Sequence, residues 1–567
     1  MEQTINNKRI KVIKTCLIIF SVMAVLKMIM VEYNLDEEYQ VMMSYRLLNG
    51  DKLYLNMFEP HQLSAFLGTA VMGLFHLVFR TYTGSLIFLR VVSALIQAAI
   101  SIYIYKWFKR IVSDNAAFVA ALTFLNISPK MIQSPDFSNM QVWFFILMIL
   151  PALSYFREGE KKKWWLLIIS GIATALEVLS YPTLVVLTPV MIIYILVVSK
   201  KKLNDFALYL GGILVSAAIW CIVYLPGLGI RGLINGIKLS LSLDSSHINR
   251  EICISTGLKD ALIVIGLFVG INLISLMVSF ILKKIKDTSY IKTYTFSAII
   301  LSLITQLVLW LVLKKGYEYC NIHLMTLLSI GFVIICVKKS ELTRLFILPL
   351  IGTIVSYITV IISSNLAFYT NLSHLVLGVV ISVVLICVVM EDNDDIRYQI
   401  EHAGWILAII ILVVLTTGKI ATFRSGRDLK LITDIRNISY HGIAAGVITD
   451  YMTSYTYNSN YEDFRANVSD GDKILVAAES TTLYSFKDVE ICNYSLVNPA
   501  VFNENLLKYW EMFPEKRPNV IVVDCWFGNL NMPEDSFIMQ YVENDLGYTK
   551  VVDGKYVRFY IRENEAD

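Results

Sequence analysis

Apolar runs of membrane-spanning length recur along this chain, and no other feature narrows its possible folds so far. A bilayer core about 30 Å thick is crossed by roughly 20 helical residues at 1.5 Å each. Each run therefore reads as a transmembrane helix. The runs fall at 12–31, 63–80, 84–106, 113–128, 139–156, 164–180, 183–199, 206–225, 258–282, 292–313, 321–337, 343–362, 373–390 and 403–419. Composition agrees, with 56% of the 567 residues hydrophobic, 17% charged and a mean hydropathy of +0.60. A water-soluble domain needs more polar surface than that.

The tail has a different character. Lys473–Ala478 and Asn519–Asp524 read as short buried strands, Phe502–Phe513 as a helix between them, and Val551–Ile561 as a final strand or strand pair. The expected fold class is an all-α polytopic membrane protein of about 13 transmembrane helices with a small C-terminal extracytoplasmic α/β domain. The expected division is a membrane domain at 1–419 and the α/β domain at 420–567.

Lysine and arginine in short loops favour the cytoplasm. Lys8, Arg9, Lys11 and Lys14 precede the first run and go inside. Lys161–Lys163, Lys200–Lys202, Lys283, Lys284, Lys286, Lys338 and Lys339 follow them. Lys27 interrupts the first run and no small-residue cleavage site follows it, which favours a retained helix over a signal peptide. The expected location is the plasma membrane, with the N-terminus cytoplasmic and the C-terminal domain extracellular. Loop 226–257 falls outside, as do Lys314 and Lys315, which run against the bias. Loop 32–62 is outside and Lys161 inside, so an odd number of crossings separates them. Four runs lie between. The run 113–128 is short and opens with Ser113, Asp114 and Asn115, so it is the one expected not to cross.

A net charge of +3 gives no reason to expect a nucleic-acid partner. No P-loop or Gly-rich cofactor turn is present, and no CxxC spacing. Cys492 and Cys525 in the tail fit either a disulfide or two free thiols.

Chemistry is expected in the external loops. Asp36, Glu37 and Glu38 directly follow the first run, residues 38–48 are amphipathic at helical spacing, and Gly50 is placed as a C-cap. This reads as a helix on the membrane surface with acids at its N-terminal end, where they also favour its dipole. Tyr54 and Glu59-Pro60-His61 follow. The arrangement resembles the polyprenyl-phosphate-sugar-dependent glycosyltransferases of the GT-C superfamily, which include protein O-mannosyltransferases and the aminoarabinose transferases that modify lipid A. Relatives often carry a double proline where this chain has Pro60-His61-Gln62. The superfamily commonly has a second acid in a later external loop, and Asp136 in Ser134-Pro135-Asp136 fits. The likeness covers roughly residues 10–200.

The resemblance implies transfer of a sugar from a polyprenyl-phosphate-linked donor to an acceptor at the outer face of the plasma membrane. A carboxylate takes the proton of the acceptor hydroxyl, so Asp36, Glu37 and Asp136 are the catalytic candidates. The leaving lipid phosphate needs positive charge or hydrogen-bond donors; His61, Arg46 and Lys238 are candidates, with Glu59 and His247 also in substrate-binding positions. A divalent metal would need about three protein ligands, and Asp244, His247 and the first-loop acids are the only ones in view. Glu177 is an ionisable residue within an apolar run, a functional hypothesis by default. Expected partners are the lipid-linked donor, membrane lipids and an acceptor whose class the sequence leaves open. The rival reading is a polytopic transporter or lipid flippase for a cell-envelope precursor. Against it stand the missing inverted repeat and the long external tail. A surface-polysaccharide polymerase or ligase would carry a large late external loop rich in Arg and His, and the late loops here are short.

Overall fold

The computed structural model describes residues 2–31, 35–59, 61–127, 133–157, 163–243, 250–286, 289–309, 321–338, 340–363, 372–391, 410, 416–417, 419–425, 428–478, 480–496, 504–527, 529–531, 533, 536–544, 547–548 and 550–562. Helices run α1 Glu2–Met30, α2 Leu35–Leu48, α3 Ala65–Phe79, α4 Ser85–Phe108, α5 Asp114–Asn126, α6 Phe137–Phe156, α7 Trp165–Ser180, α8 Leu187–Val198, α9 Lys202–Leu243, α10 Arg250–Lys286, α11 Tyr290–Leu307, α12 Asn321–Val337, α13 Glu341–Leu345, α14 Ile347–Ser363 and α15 Val376–Glu391. Among the described residues, seven helices are long and apolar enough to cross a membrane, and four shorter apolar helices accompany them. The run at 403–419 lies almost wholly outside the described residues.

α15 is the central post of the bundle: Val376–Cys387 is buried throughout. Small residues let neighbours close on it. A Cβ on Gly331 would lie 2.2 Å from the Ser382 hydroxyl. α1 is peripheral instead, with Ile19, Met23 and Leu26 more than half exposed, as a lipid-facing helix requires.

The tail strands are β1 Thr422–Ser425, β2 Asp428–Leu431, β3 Ile435–Ile438, β4 Ile448–Asp450, β5 Lys473–Ala477, β6 Glu490–Ile491, β7 Val520–Trp526, β8 Asn529–Leu530, β9 Lys550–Asp553 and β10 Val557–Ile561. The main sheet has the order β6-β5-β7-β10-β9, with β8 pairing β7. β6, β5 and β7 are parallel, and β10 and β9 antiparallel. The apolar runs of β5 and β7 fit strands covered on both faces, here by helices Tyr451–Asn467 and Asn505–Met512. Cys492 and Cys525 are both buried and unbonded to one another, so the thiol reading holds.

The chain's two sides can be followed through its contacts. On one side, Lys14 of α1 pairs with Asp114 at 2.6 Å, Trp107 of α4 donates to Ser154 of α6, and Ser113 donates to Glu391 of α15. On the other, Lys27 donates to the Thr422 carbonyl, Val31 bridges Ile448, and Lys419 donates to the Leu125 carbonyl. Thus α5 touches both sets of contacts despite its 13 residues. The contacts of α3 are different. Its first turn is held to α2 by Ser64 donating to Gln40 at 2.8 Å. Gly68 and Gly73 then bring it under Ser44 and Leu48 of α2, so the two helices run side by side in the same direction. Just beyond its end, the Gly84 and Leu86 amides donate to Gly442 and Ile443 of the tail. Both ends of α3 thus meet the tail side. α3 lies beside α2 and exposes Leu74, Leu77, Val78 and Phe79; by length and composition it is one of the seven candidate spans, and 113–128 is not.

Candidate active site

α2 is fixed by its acids in two directions. Glu37 accepts from Arg90 of α4 with both oxygens, at 2.8 Å from Nε and 2.5 Å from Nη2, and both side chains are essentially inaccessible. Arg90 also donates to the Ile29 carbonyl at the end of α1. Glu38 turns the other way, accepting from the Ser480 hydroxyl at 2.8 Å and from Thr482 beyond the end of β5. Asp36, the first of these acids at the head of α2, is half-buried.

The loop from α2 to α3 is built on a second buried set. Arg46 lies 2.6 Å from Asp51 and 3.3 Å from Glu59, and donates to the Asn56 carbonyl. Burial alone would lower its pKa; Asp51 and Glu59 outweigh that and keep it charged. Glu59 accepts from the Ser495 hydroxyl at 2.6 Å and the Leu496 amide at 2.7 Å. Burial still pushes its carboxyl up to about 7, against the pull of Arg46 and these donors. Lys516 of the tail closes the set on Asp51 at 3.1 Å. The expectation that Arg46 meets a lipid phosphate is therefore corrected, since its guanidinium is 0% exposed and held by this chain's own acceptors. Glu37 and Glu59 are occupied in the same way.

The remaining expected residues come together. The His61 and Phe137 rings stack 4.2 Å apart at 11°, and Tyr181 packs on His61 at 4.8 Å. Asp136, fully buried, is the residue before Phe137 and caps α6 by accepting from the Asn139 amide at 2.8 Å. Tyr181 sits at the break between α7 and α8. Its phenol pKa is raised by burial and then by the nearby Asp36 carboxylate. Behind it, His374 meets Tyr181 edge-on at 5.5 Å and is held between Gln141 at 3.2 Å and Ser356 at 3.0 Å. Asp36, His61, Phe137, Asp136 and Tyr181 thus line one junction of α2, α6 and α7.

Glu177 lies one turn before Tyr181, 1% exposed, with its carboxyl against the Phe145 backbone. Lys238 is exposed on the part of α9 beyond Gly229, where a left-handed φ of 65° breaks the helix after Pro226. His247 and Asp244 lie outside the described residues. Among the described residues, no three His, Cys, Asp or Glu side chains converge to hold a metal ion. A cleft of about 560 Å³ opens on the far end of the α2–α3 pair, against α9, lined by Leu47, Asp51, Phe66, Thr69, Val223 and Tyr224 among others. Asp36, His61 and Asp136 do not line it.

Residues 64–224 match the dolichyl-phosphate-mannose-protein mannosyltransferase family. The matched stretch includes Asp136, Phe137 and Tyr181 and stops short of Asp36 and His61. Two solved structures show distant similarity to this chain. The oligosaccharyltransferase of Archaeoglobus fulgidus, in complex with zinc and sulfate, is 12% identical over 90% of this chain and 67% of its own, with a TM-score of 0.45. ArnT from Cupriavidus metallidurans, bound to undecaprenyl phosphate, is 11% identical over 98% of both chains, with a TM-score of 0.34. At these scores neither likeness bears on the site. No curated protein sequence matches.

Sequence reading missed Arg90, Tyr181 and His374. Arg90 had a signal: an arginine in the middle of an apolar run requires a buried partner. Tyr181 also had one, preceding Pro182 where α7 has to end. His374 follows residues 364–371 and had none.

Proposed function

We propose that this protein is a GT-C-type glycosyltransferase that transfers a sugar from a polyprenyl-phosphate-linked donor to an acceptor hydroxyl at the outer face of the plasma membrane. The convergence of Asp36 with His61, Asp136 and Tyr181 carries the reading. These residues come from separate stretches of chain, and transfer chemistry needs its groups at one reacting centre. The match to a family named for a dolichyl-phosphate donor supports the lipid-phosphate donor class.

In this mechanism Asp36 takes the proton from the acceptor hydroxyl as its oxygen bonds to the anomeric carbon. The bond from that carbon to the phosphate oxygen breaks, and polyprenyl phosphate leaves. His61 donates toward the leaving phosphate, with its ring held flat on Phe137. Lys238 is the remaining proposed phosphate contact, and His247 a proposed substrate contact. Asp136 holds the head of α6 and, with Asp36, makes the site acidic. Glu37, Glu59 and Arg46 hold the loop in place. The proposed division is a membrane body at 1–419 and an extracytoplasmic domain at 420–567, with the N-terminus cytoplasmic. The lysines at 8, 11, 14, 163 and 200–202 support that orientation, because they flank helix ends opposite the tail.

The test is direct. Purified protein given a polyprenyl-phosphate-linked sugar and candidate acceptors should release free polyprenyl phosphate and form a glycosidic bond. Movement of a lipid-linked sugar across sealed vesicles without either product would favour the flippase instead.

A further inference from the structure

The tail is seated on the first loop through the carboxyl ends of its parallel strands. Beyond β6, Ser495 and Leu496 bind Glu59; beyond β5, Ser480 and Thr482 bind Glu38. β7 is the next strand in the sheet and parallel to β5, so its carboxyl end points the same way. There stand Trp526 and Phe527, 47% and 61% exposed. Phe527 keeps a left-handed φ of 47°, a conformation that non-glycine residues rarely adopt. Trp526 packs on Tyr556 at 5.1 Å, Tyr556 on Tyr455 at 6.0 Å, and Tyr455 on Tyr451 at 5.5 Å. Lys555 donates to the Tyr455 hydroxyl from above its ring.

This aromatic row is tied to the end of α1. Tyr451 follows directly on β4, whose Ile448 bridges Val31 at the end of α1. α1 presents Met23, Leu26 and Met30 outward, so the row continues from a lipid-facing helix. Tyrosine and tryptophan concentrate where apolar ring and polar edge meet the headgroup layer, and an ammonium beside them suits lipid phosphates.

We propose that the tail edge formed by Tyr451, Tyr455, Trp526, Phe527 and Lys555 rests in the lipid headgroup layer beside α1. The tail then has two footings, one on the first loop and one on the bilayer, and the site between α2, α6 and α7 is held beneath it. The proposal requires a membrane but not glycosyl transfer.

The full chain carrying Phe527→p-benzoylphenylalanine, and separately Tyr451→p-benzoylphenylalanine, is reconstituted in nanodiscs of phosphatidylethanolamine and phosphatidylglycerol and irradiated. The control is Ala466→p-benzoylphenylalanine, exposed on the same helix as Tyr451 and about 22 Å further along its axis. Intact-mass and lipid analysis should find phospholipid adducts at 451 and 527 and none at 466. Adducts at 451 and 527 to protein or glycan alone, no adducts there, or equal lipid labelling at 466 would each overturn the proposal.

Discussion

The His61 ring lies parallel to the Phe137 ring, their centroids 4.2 Å apart. One ring follows the first loop and the other opens α6, so this stack joins two stretches that sequence shows only as separate loops. It also sets Asp136 beside the junction that Asp36 enters through Tyr181. Removing the stack tests the junction. His61→Ala and Phe137→Ala should each lower transfer by at least about tenfold, the loss coming with misplacement of about 1 Å near the reacting centre. His61→Phe keeps the stack and removes the donor. If His61→Phe retains wild-type rates, the phosphate role assigned to His61 is wrong while the packing role stands.

The position of α3 gives a topological prediction. Cysteines at Thr83 and Asn49, both exposed, should react with an impermeant thiol reagent in intact cells. A cysteine at Arg110, exposed on the Lys14 side, should react only after the cells are opened. Protection of Thr83→Cys in intact cells would show that α3 crosses.

This helix also shows where the sequence stops being informative. Residues 63–80 have the length and apolarity of a span, and a hydropathy window does not distinguish a helix lying beside α2 from one that crosses. The distinction lies in contacts of Gly84 and Leu86 with Gly442 and Ile443, over 350 residues away in sequence. α5 fails the other way. Its 13 residues look too short, yet it is enclosed by α4 and α15, and Ala116, Ala117 and Ala120 let them approach. What was legible was local: the apolar runs, the acids heading α2, and the strands β5 and β7. The proposed catalytic grouping was legible only as a list, because nothing local to Asp36, Glu37 and Glu38 says which distant side chain each acid meets. Arg90 takes Glu37, and Ser480 and Thr482 take Glu38.

The Glu37–Arg90 pair should therefore be structural. Glu37→Gln leaves a buried guanidinium uncompensated, and removing one partner of a buried pair costs about 3–5 kcal/mol. Thermal unfolding in detergent should show a large fall for Glu37→Gln and a partial recovery for Glu37→Gln with Arg90→Met. Wild-type melting of Glu37→Gln would return Glu37 to the list of acids available for chemistry.

Glu59 predicts a pH dependence. Its carboxyl rises from 4.5 to about 7 on folding, chiefly through burial. The folded state thus binds the proton more tightly, and the stability this confers is present in full below about pH 4.5 and lost as pH rises through 7. Glu59→Gln has no such proton to lose. Between pH 5 and 8 the wild type should lose up to about 3 kcal/mol relative to Glu59→Gln, read as diverging melting temperatures. Parallel pH profiles would mean that Glu59 stays charged with Arg46 throughout.

The catalytic prediction rests on Asp36. Asp36→Asn keeps the size of the side chain and removes its basicity. General-base catalysis contributes about 10²–10⁴-fold, so transfer should fall at least about a hundredfold. The base acts on the acceptor, so binding of the lipid-linked donor should survive, and a donor-binding assay separates lost chemistry from lost affinity. Asp51 is no neutral comparison, because it binds both Arg46 and Lys516. Glu462, with its side chain 68% exposed on the tail, is a better one, and Glu462→Gln should retain wild-type transfer. Asp36 sits at the N-terminal end of α2, where a carboxylate also stabilises the helix dipole by about 0.3–1 kcal/mol. That effect would appear in melting and leave turnover intact. If Asp36→Asn lowers the melting temperature and keeps full transfer per folded molecule, Asp36 is a helix-end charge, and the base has to be sought at Asp136.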